Sequence, residues 1–152
     1  MRGWFVSFML GWALAGLAVL LALFGLLAAA LNENPSAWLF AAAASALPAL
    51  PLVLRGRFRN EPSRRSILAA TLLLWLIVPA FGSLPWVFSG QLNALDALFE
   101  SMSGFTTTGA SMISDPGVLS GSFLLWRALS QWLGGIGIIV VFAAVFPQLG
   151  VA

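Results

Sequence analysis

The run Thr106-Thr107-Thr108-Gly109 is where the chemistry of this chain is easiest to name. Three adjacent threonines favour an extended backbone. Extended threonine lines up carbonyl oxygens and sets hydroxyl oxygens beside them. Gly109 permits a positive φ that other residues resist. Oxygen donors without sulfur or imidazole suit a hard cation, and rings of backbone carbonyls can replace the hydration shell of potassium.

Just upstream, Leu92 to Met102 reads as a short helix, because Leu95, Leu98, Phe99 and Met102 recur at helical spacing. Asn93 fits an N-cap, Asp96 lies in the first turn, and Gly104 suits a C-terminal stop. Such a helix rises ~16 Å, about half of a ~30 Å hydrocarbon core, so it cannot cross. A half-span helix followed by irregular backbone marks a re-entrant element, tolerated at membrane depth where it is buried in protein or lines a wet cavity. Entering from outside, the helix aims its C-terminal end, with about half a negative charge, at the threonines, which favours a cation. The same residues admit a plainer reading, an amphipathic helix lying on the outer membrane surface followed by a Ser/Thr-rich turn.

Three further groups carry charge or unusual backbone. Asp96 and Glu100 stand four apart on one helical face. Paired carboxylates serve glycoside hydrolysis, but no nucleophile or metal-ligand set accompanies these two, and attraction of external cations fits whichever stays unpaired. Arg127 lies inside an apolar run, where an ionised group must snorkel or find a partner. A pair with Glu100 or Asp96 would tether the short helix to the next span. Gly134, Gly135 and Gly137 cluster in that span. They permit close helix packing, or alternatively a hinge.

The elements that must hold this hairpin are read from composition. Of 152 residues, 61% are hydrophobic and 8% charged, against about 25% charged in ordinary soluble domains. The bilayer is the natural solvent for such a chain. It has no Cys and no His, which excludes disulfides, thiol nucleophiles, thiolate metal sites and imidazole chemistry, and with them most enzyme classes. A net charge of +2 carried by a few arginines gives no reason to expect nucleic-acid binding. Residues 3–32, 34–54, 66–95 and 128–152 are free of ionised side chains, and spans are expected at roughly 4–31, 37–54, 67–88 and 119–146. The first is about twice the length of a signal-peptide core.

The segment 55–65 holds five Arg against one Glu. A short loop this basic stays cytoplasmic. Both termini are then cytoplasmic, and the turn Asn32-Glu33-Asn34-Pro35-Ser36 is external, as is everything between the third and fourth spans. The basic loop also offers contact to anionic lipid or a cytoplasmic subunit. Trp4, Trp38 and Trp86 fall near expected span ends, where aromatic belts sit, although lipid-facing packing explains any one of them as well. Pro48, Pro51 and Pro79 are expected to kink or end their helices.

The expected fold is thus an all-α membrane protein with four transmembrane helices plus one re-entrant pore helix and filter loop. Residues 1–66 would form a leading helix pair with a cytoplasmic Arg-rich loop, and 67–152 one helix–pore-loop–helix repeat.

The run from Asp96 to Ala110, with Ser103-Gly104-Phe105-Thr106-Thr107-Thr108-Gly109 at its heart, closely resembles the first pore loop of the Trk/Ktr/HKT potassium transporters, most closely their bacterial TrkH/TrkG branch. The run from Leu124 to Val140 resembles the inner helix that follows. Residues 1–66 match the branch's leading helix pair by topology only. The resemblance implies four such repeats around one pore, in a bacterial inner membrane, with a cytoplasmic nucleotide-binding regulatory partner in many members. It implies that Thr107 and Thr108 offer potassium-coordinating oxygens and that Thr106, Gly109 and Ala110 shape that quarter of the filter. It implies a transported K+ and no bound cofactor. The filter run has one glycine, unlike the TVGYG type. A single hairpin is a quarter of a filter, so the chain is expected to be the N-terminal part of a longer transporter, with the next repeat beginning beyond Phe146-Pro147. The alternatives are assembly as a homotetramer, or a truncated structural or regulatory subunit that inserts without conducting.

Overall fold

The computed structural model describes residues 3–55 and 62–145. Residues 56–61 of the Arg-rich loop, Arg2, and the stretch 146–152 lie outside the described residues.

Seven helical segments follow one another. They are α1 (Gly3–Ala30), α2 (Ser36–Arg55), α3 (Arg64–Gly82), α4 (Leu84–Phe88), α5 (Ala94–Phe105), a single 3-10 turn (Pro116–Val118) and α6 (Gly121–Val145). Four stretches are long and apolar enough to cross a bilayer: α1, α2, α3 with α4, and α6. The chain is an all-α, multi-pass membrane protein, as its charge-free gaps require. No strand occurs among the described residues.

Local chemistry sets the boundaries. α1 ends in a Schellman turn: Asn32 takes φ 59°, its N–H donates to Ala29 O at 3.1 Å, and the Glu33 N–H donates to Ala28 O at 2.8 Å. Asn tolerates the left-handed region better than most residues. Ser63 caps α3, its side chain accepting from the Ser66 N–H at 3.3 Å. The prolines do not end their helices. Pro48 and Pro51 sit inside α2 and Pro79 inside α3, and the third span is instead interrupted at Ser83, between α3 and α4.

α1 and α2 pack as a close pair. An added Cβ at Gly11 would stand 2.7 Å from Val53 N, and one at Gly25 would stand 2.9 Å from Leu39 Cδ2. Small residues allow such approach where lipid supplies no hydrophobic drive between helices.

The pair joins the rest of the molecule through an aromatic cluster. Trp38 packs on Phe24 (ring centroids 5.1 Å), Phe123 (4.7 Å) and Trp126 (5.8 Å). Trp86 packs on Phe123 at 4.5 Å, and Phe105 reaches Trp126 at 6.2 Å. Trp38, Trp86 and Trp126 are buried almost completely. This corrects the expectation for Trp38 and Trp86, which are core residues and not interfacial anchors. The Trp126 indole N–H donates to Gly82 O at 3.2 Å. The buried Trp38 Nε1 has no hydrogen-bond partner among the described residues.

Candidate ion-conducting site

The short helix α5 is the pore-helix candidate. Its 12 residues rise ~18 Å, still far short of a ~30 Å core. Asn93 caps it, accepting from the N–H groups of Leu95 and Asp96 at 3.0 Å each. Asn93 Nδ2 donates back to the Asp96 carboxylate at 2.6 Å. Asp96 therefore belongs to the N-terminal cap, and Arg127 is paired elsewhere.

The helix runs three residues beyond its expected end. Gly104 is a buried residue of the last turn and not its stop. A second difference concerns the apolar stripe. Leu95, Leu98 and Phe99 are exposed, while Ala97, Glu100, Ser101, Ser103, Gly104 and Phe105 are buried. The small and polar face packs inward, as in membrane helices, whose apolar residues are as well solvated by hydrocarbon as by protein.

Three contacts seat the inward face. Ser101 Oγ donates to Pro79 O at 2.7 Å, joining α5 to α3. A Cβ added at Gly82 would stand 2.8 Å from Phe105 Cε2, and one at Gly134 would overlap the Phe105 carbonyl oxygen. The last turn of α5 is wedged between α3 and α6 at positions that admit no side chain. By contrast, a Cβ at Gly135 or Gly137 would meet only ordinary contacts, Thr107 Cγ2 at 3.9 Å and Trp75 at 3.7 Å.

The threonine run is not extended. Thr106 has φ −90° and ψ 3°, and Thr107 has φ 56°. The Thr107 N–H donates to Gly104 O at 2.9 Å and the Thr108 N–H to Ser103 O at 3.0 Å. Orphan carbonyls at the helix end claim these donors, which curls the chain into a Schellman turn. Thr107 occupies its left-handed position, which is an outlier for a β-branched residue. Thr106 Oγ1 donates to Met102 O at 2.7 Å and lies 2.8 Å from Thr108 Oγ1. Gly109 follows with φ 79°. Residues 106–110 are all exposed.

The loop's return is held by one buried carboxylate. Glu100 accepts from Ser111 Oγ at 3.2 and 3.0 Å and from the Met112 N–H at 2.9 Å. Arg127 Nε stands 2.9 Å from Glu100 Oε1, with the two side chains 18% and 5% exposed. Arg127 also donates to Ser111 Oγ at 3.2 Å. Ser103 Oγ donates to Ala110 O at 2.6 Å. With each charge paired and hydrogen-bonded, the arrangement meets the condition under which buried ions are tolerated.

The structure thus brings Glu100 and Arg127 together and leaves Asp96 apart. Ser101, Ser103 and Ser111 were not singled out in the sequence. Their signal was available, since a buried carboxylate must find donors and serines are the polar residues flanking it. Among the described residues no group of three or more His, Cys, Asp or Glu is placed to hold a metal. The exposed oxygens at this loop are hydroxyls and carbonyls, donors suited to a weakly held alkali cation.

Comparison with known proteins finds relatives over much of this chain. The chain is 43% identical over 95 residues to the Trk system potassium uptake protein TrkH of Halomonas elongata, covering 61% of this chain and 20% of that protein. It is 40% identical over 95 residues to the protein of that name from Escherichia coli K12, with the same coverage of each. It is 46% identical over 82 residues to the Trk system potassium uptake protein TrkI of Halomonas elongata, covering 53% of this chain and 17% of that protein. The chain spans about a fifth of the length of these curated relatives. A family profile described as TrkH, cation transport protein, matches residues 38–151. With most of its length inside that match, the chain belongs to the TrkH family of cation transport proteins.

Proposed function

We propose that this chain contributes one pore-loop repeat to a potassium-uptake system and is a transporter part, not an enzyme. Residues 67–152 are the repeat and residues 1–66 the leading helix pair. Thr107 and Thr108 offer oxygens to the passing ion; Thr106, Gly109 and Ala110 shape the loop. Flux is passive, driven by the membrane potential, through a filter whose other three quarters come from the same longer chain or from further copies. The chain sits in a bacterial inner membrane with both termini cytoplasmic, where a nucleotide-binding regulatory subunit meets it.

The observation that carries this reading is the clamp on the threonine loop. The exposed loop is fixed at both ends, by the Schellman turn on α5 and by Glu100, itself paired to Arg127. A surface turn needs no such support; a coordination site does, because ligand oxygens must hold their spacing. The names of the relatives add potassium uptake as the cargo.

The test is growth of a potassium-uptake-deficient host on limiting potassium, with rubidium flux measured alongside. Rescue by the protein, and its loss on Thr107→Ala with Thr108→Ala at unchanged membrane abundance, is the expected result. Rescue that survives the double substitution overturns the site. The second reading is a subunit that inserts and assembles without conducting alone. Rescue only on co-expression with the remaining repeats would support that reading for the isolated chain.

A further inference from the structure

We propose that Glu33, in the turn between α1 and α2, is a positioning residue for the threonine loop, acting through the first two turns of α6. The inference deepens the transport reading, on which its consequence for ion flux rests.

α6 begins with backbone N–H groups that have no helical partner. Glu33, far away in sequence, supplies the acceptor: its two carboxylate oxygens lie 3.4 and 3.2 Å from Ser122 N. The fit is close. A Cβ at Gly121 would stand 3.4 Å from Glu33 Oε1 and 3.4 Å from Leu31 Cδ1. An anion at a helix N-terminus is also favoured by the helix dipole.

The carboxylate stands on a fixed base. Glu33 closes the Schellman turn of α1 through its own N–H. Burial alone would raise its pKa. The Ser122 and Ser120 side chains and the backbone of Ser122 and Gly121 outweigh that and hold it below the ordinary value. The recess around it is lined by Asn34, Ser36, Ser89, Gln91, Ser120 and Ser122 among its polar groups, none of them charged. The helix end is therefore its electrostatic partner.

The same helix carries Arg127, about 7.5 Å further along than Ser122. α6 is thus gripped by two carboxylates from two different segments, Glu33 at its first turn and Glu100 at its second. A helix is stiff over two turns. Between the two grips Phe123 and Trp126 seat α6 in the aromatic cluster, so release of the first lets the N-terminal turns of α6 tilt about that seat, and Arg127 shifts with them. Glu100 then loses the partner that orients it, and with it the hold on Ser111 and Met112. By this route the leading helix pair sets the geometry of the loop without touching it.

Residue-resolved amide hydrogen exchange on the chain in lipid nanodiscs separates this from a merely local cap. With the near-isosteric Glu33→Gln, which keeps an acceptor oxygen but removes the charge, exchange at Ser122 should speed up by about twofold to fivefold, the scale of a lost charge–dipole interaction. Exchange at Met112 should rise by at least about threefold, while Ala42 in α2 stays unchanged. Glu33→Lys should exceed Glu33→Gln at both positions. Acceleration at Ser122 with Met112 as in the wild type overturns the proposal, and so does no change at either. In flux measurements the potassium-to-sodium uptake ratio should fall in Glu33→Gln, not the rate alone. If the wild type moves no potassium yet Met112 responds, the transport reading fails and the positioning role stands.

Discussion

Two helices in this protein end in the same hydrogen-bonded turn, with different residues at its left-handed position. At the end of α1 that residue is Asn32, φ 59°; at the end of α5 it is Thr107, φ 56°. The bonds match pair for pair: Asn32 to Ala29 and Glu33 to Ala28 in the first, Thr107 to Gly104 and Thr108 to Ser103 in the second. Asn accepts that backbone readily. Threonine, branched at Cβ, resists it by roughly 1–2 kcal/mol. The α1 end is a connector using the residue stability prefers. The α5 end keeps a less favourable residue, and the surroundings supply what the turn lacks: Gly134 beneath Phe105, Ser103 on Ala110, and the Glu100–Arg127 pair on the returning chain. Strain held by a built frame is the pattern of functional segments.

That contrast can be broken from its strongest side first. Arg127→Gln leaves the Glu100 carboxylate buried without its charge partner, and destabilisation of about 3 kcal/mol is expected in chemical unfolding from lipid micelles. The double variant Arg127→Gln with Glu100→Gln should recover part of it. If the single variant is as stable as the wild type, the frame is dispensable. Next, Gly134→Ala should cost about 2 kcal/mol, because its Cβ overlaps the Phe105 carbonyl oxygen. Gly135→Ala, with its nearest contact at 3.9 Å, should be neutral to slightly stabilising by helix propensity. Equal effects at 134 and 135 would mean that packing under the α5 end is not what the first glycine provides.

The two turns are compared directly by exchanging their residues. Thr107→Asn should stabilise the protein by about 1 kcal/mol while lowering rubidium flux, and Asn32→Thr should destabilise by a similar amount with a smaller loss of flux, passed on through Glu33. Flux unchanged in Thr107→Asn would make the threonine an accident of sequence. The smallest effect concerns pH. The carboxyl of Glu33 is held below its ordinary value of 4.5. Its contribution to stability is therefore complete above about that pH and is lost as pH falls through the lower folded value. Glu33→Gln should show a shallower loss of stability below that pH. Parallel profiles for the two proteins would remove the Glu33 charge from the account.

The same contrast explains what the sequence disclosed and what it hid. The four spans were legible because the bilayer imposes long apolar runs and exiles arginine from them, so Arg55 and Arg64 nearly mark the boundaries. The α5 start was legible because Asn93 and Asp96 make a local cap. The α5 end was misread twice. Gly104 looked like a stop and is a packing residue, and the threonines looked extended and are curled. The first follows from a contact with α6, at Ser130, that no local pattern encodes; the second follows from the orphan carbonyls of Ser103 and Gly104, which claim the Thr108 and Thr107 N–H groups against the preference of threonine. The burial of Trp38 and Trp86 was hidden for a similar reason. Position along a span is local information, while the faces of Phe24, Phe123 and Trp126 are brought in by the fold. Arg127 with Glu100 was among the pairings the sequence offered, because a charge in an apolar run has few places to go. Glu33 raised no such alarm in a polar turn.

The aromatic cluster has a consequence for biogenesis. Synthesis delivers Phe24 and Trp38 to the bilayer long before the ribosome reaches Phe123 and Trp126. Until α6 arrives, the nascent α1–α2 hairpin carries an open aromatic seat facing lipid or an insertase. Late closure of that seat gives quality control a natural checkpoint, at which a chain with a damaged α6 remains recognisably unfinished.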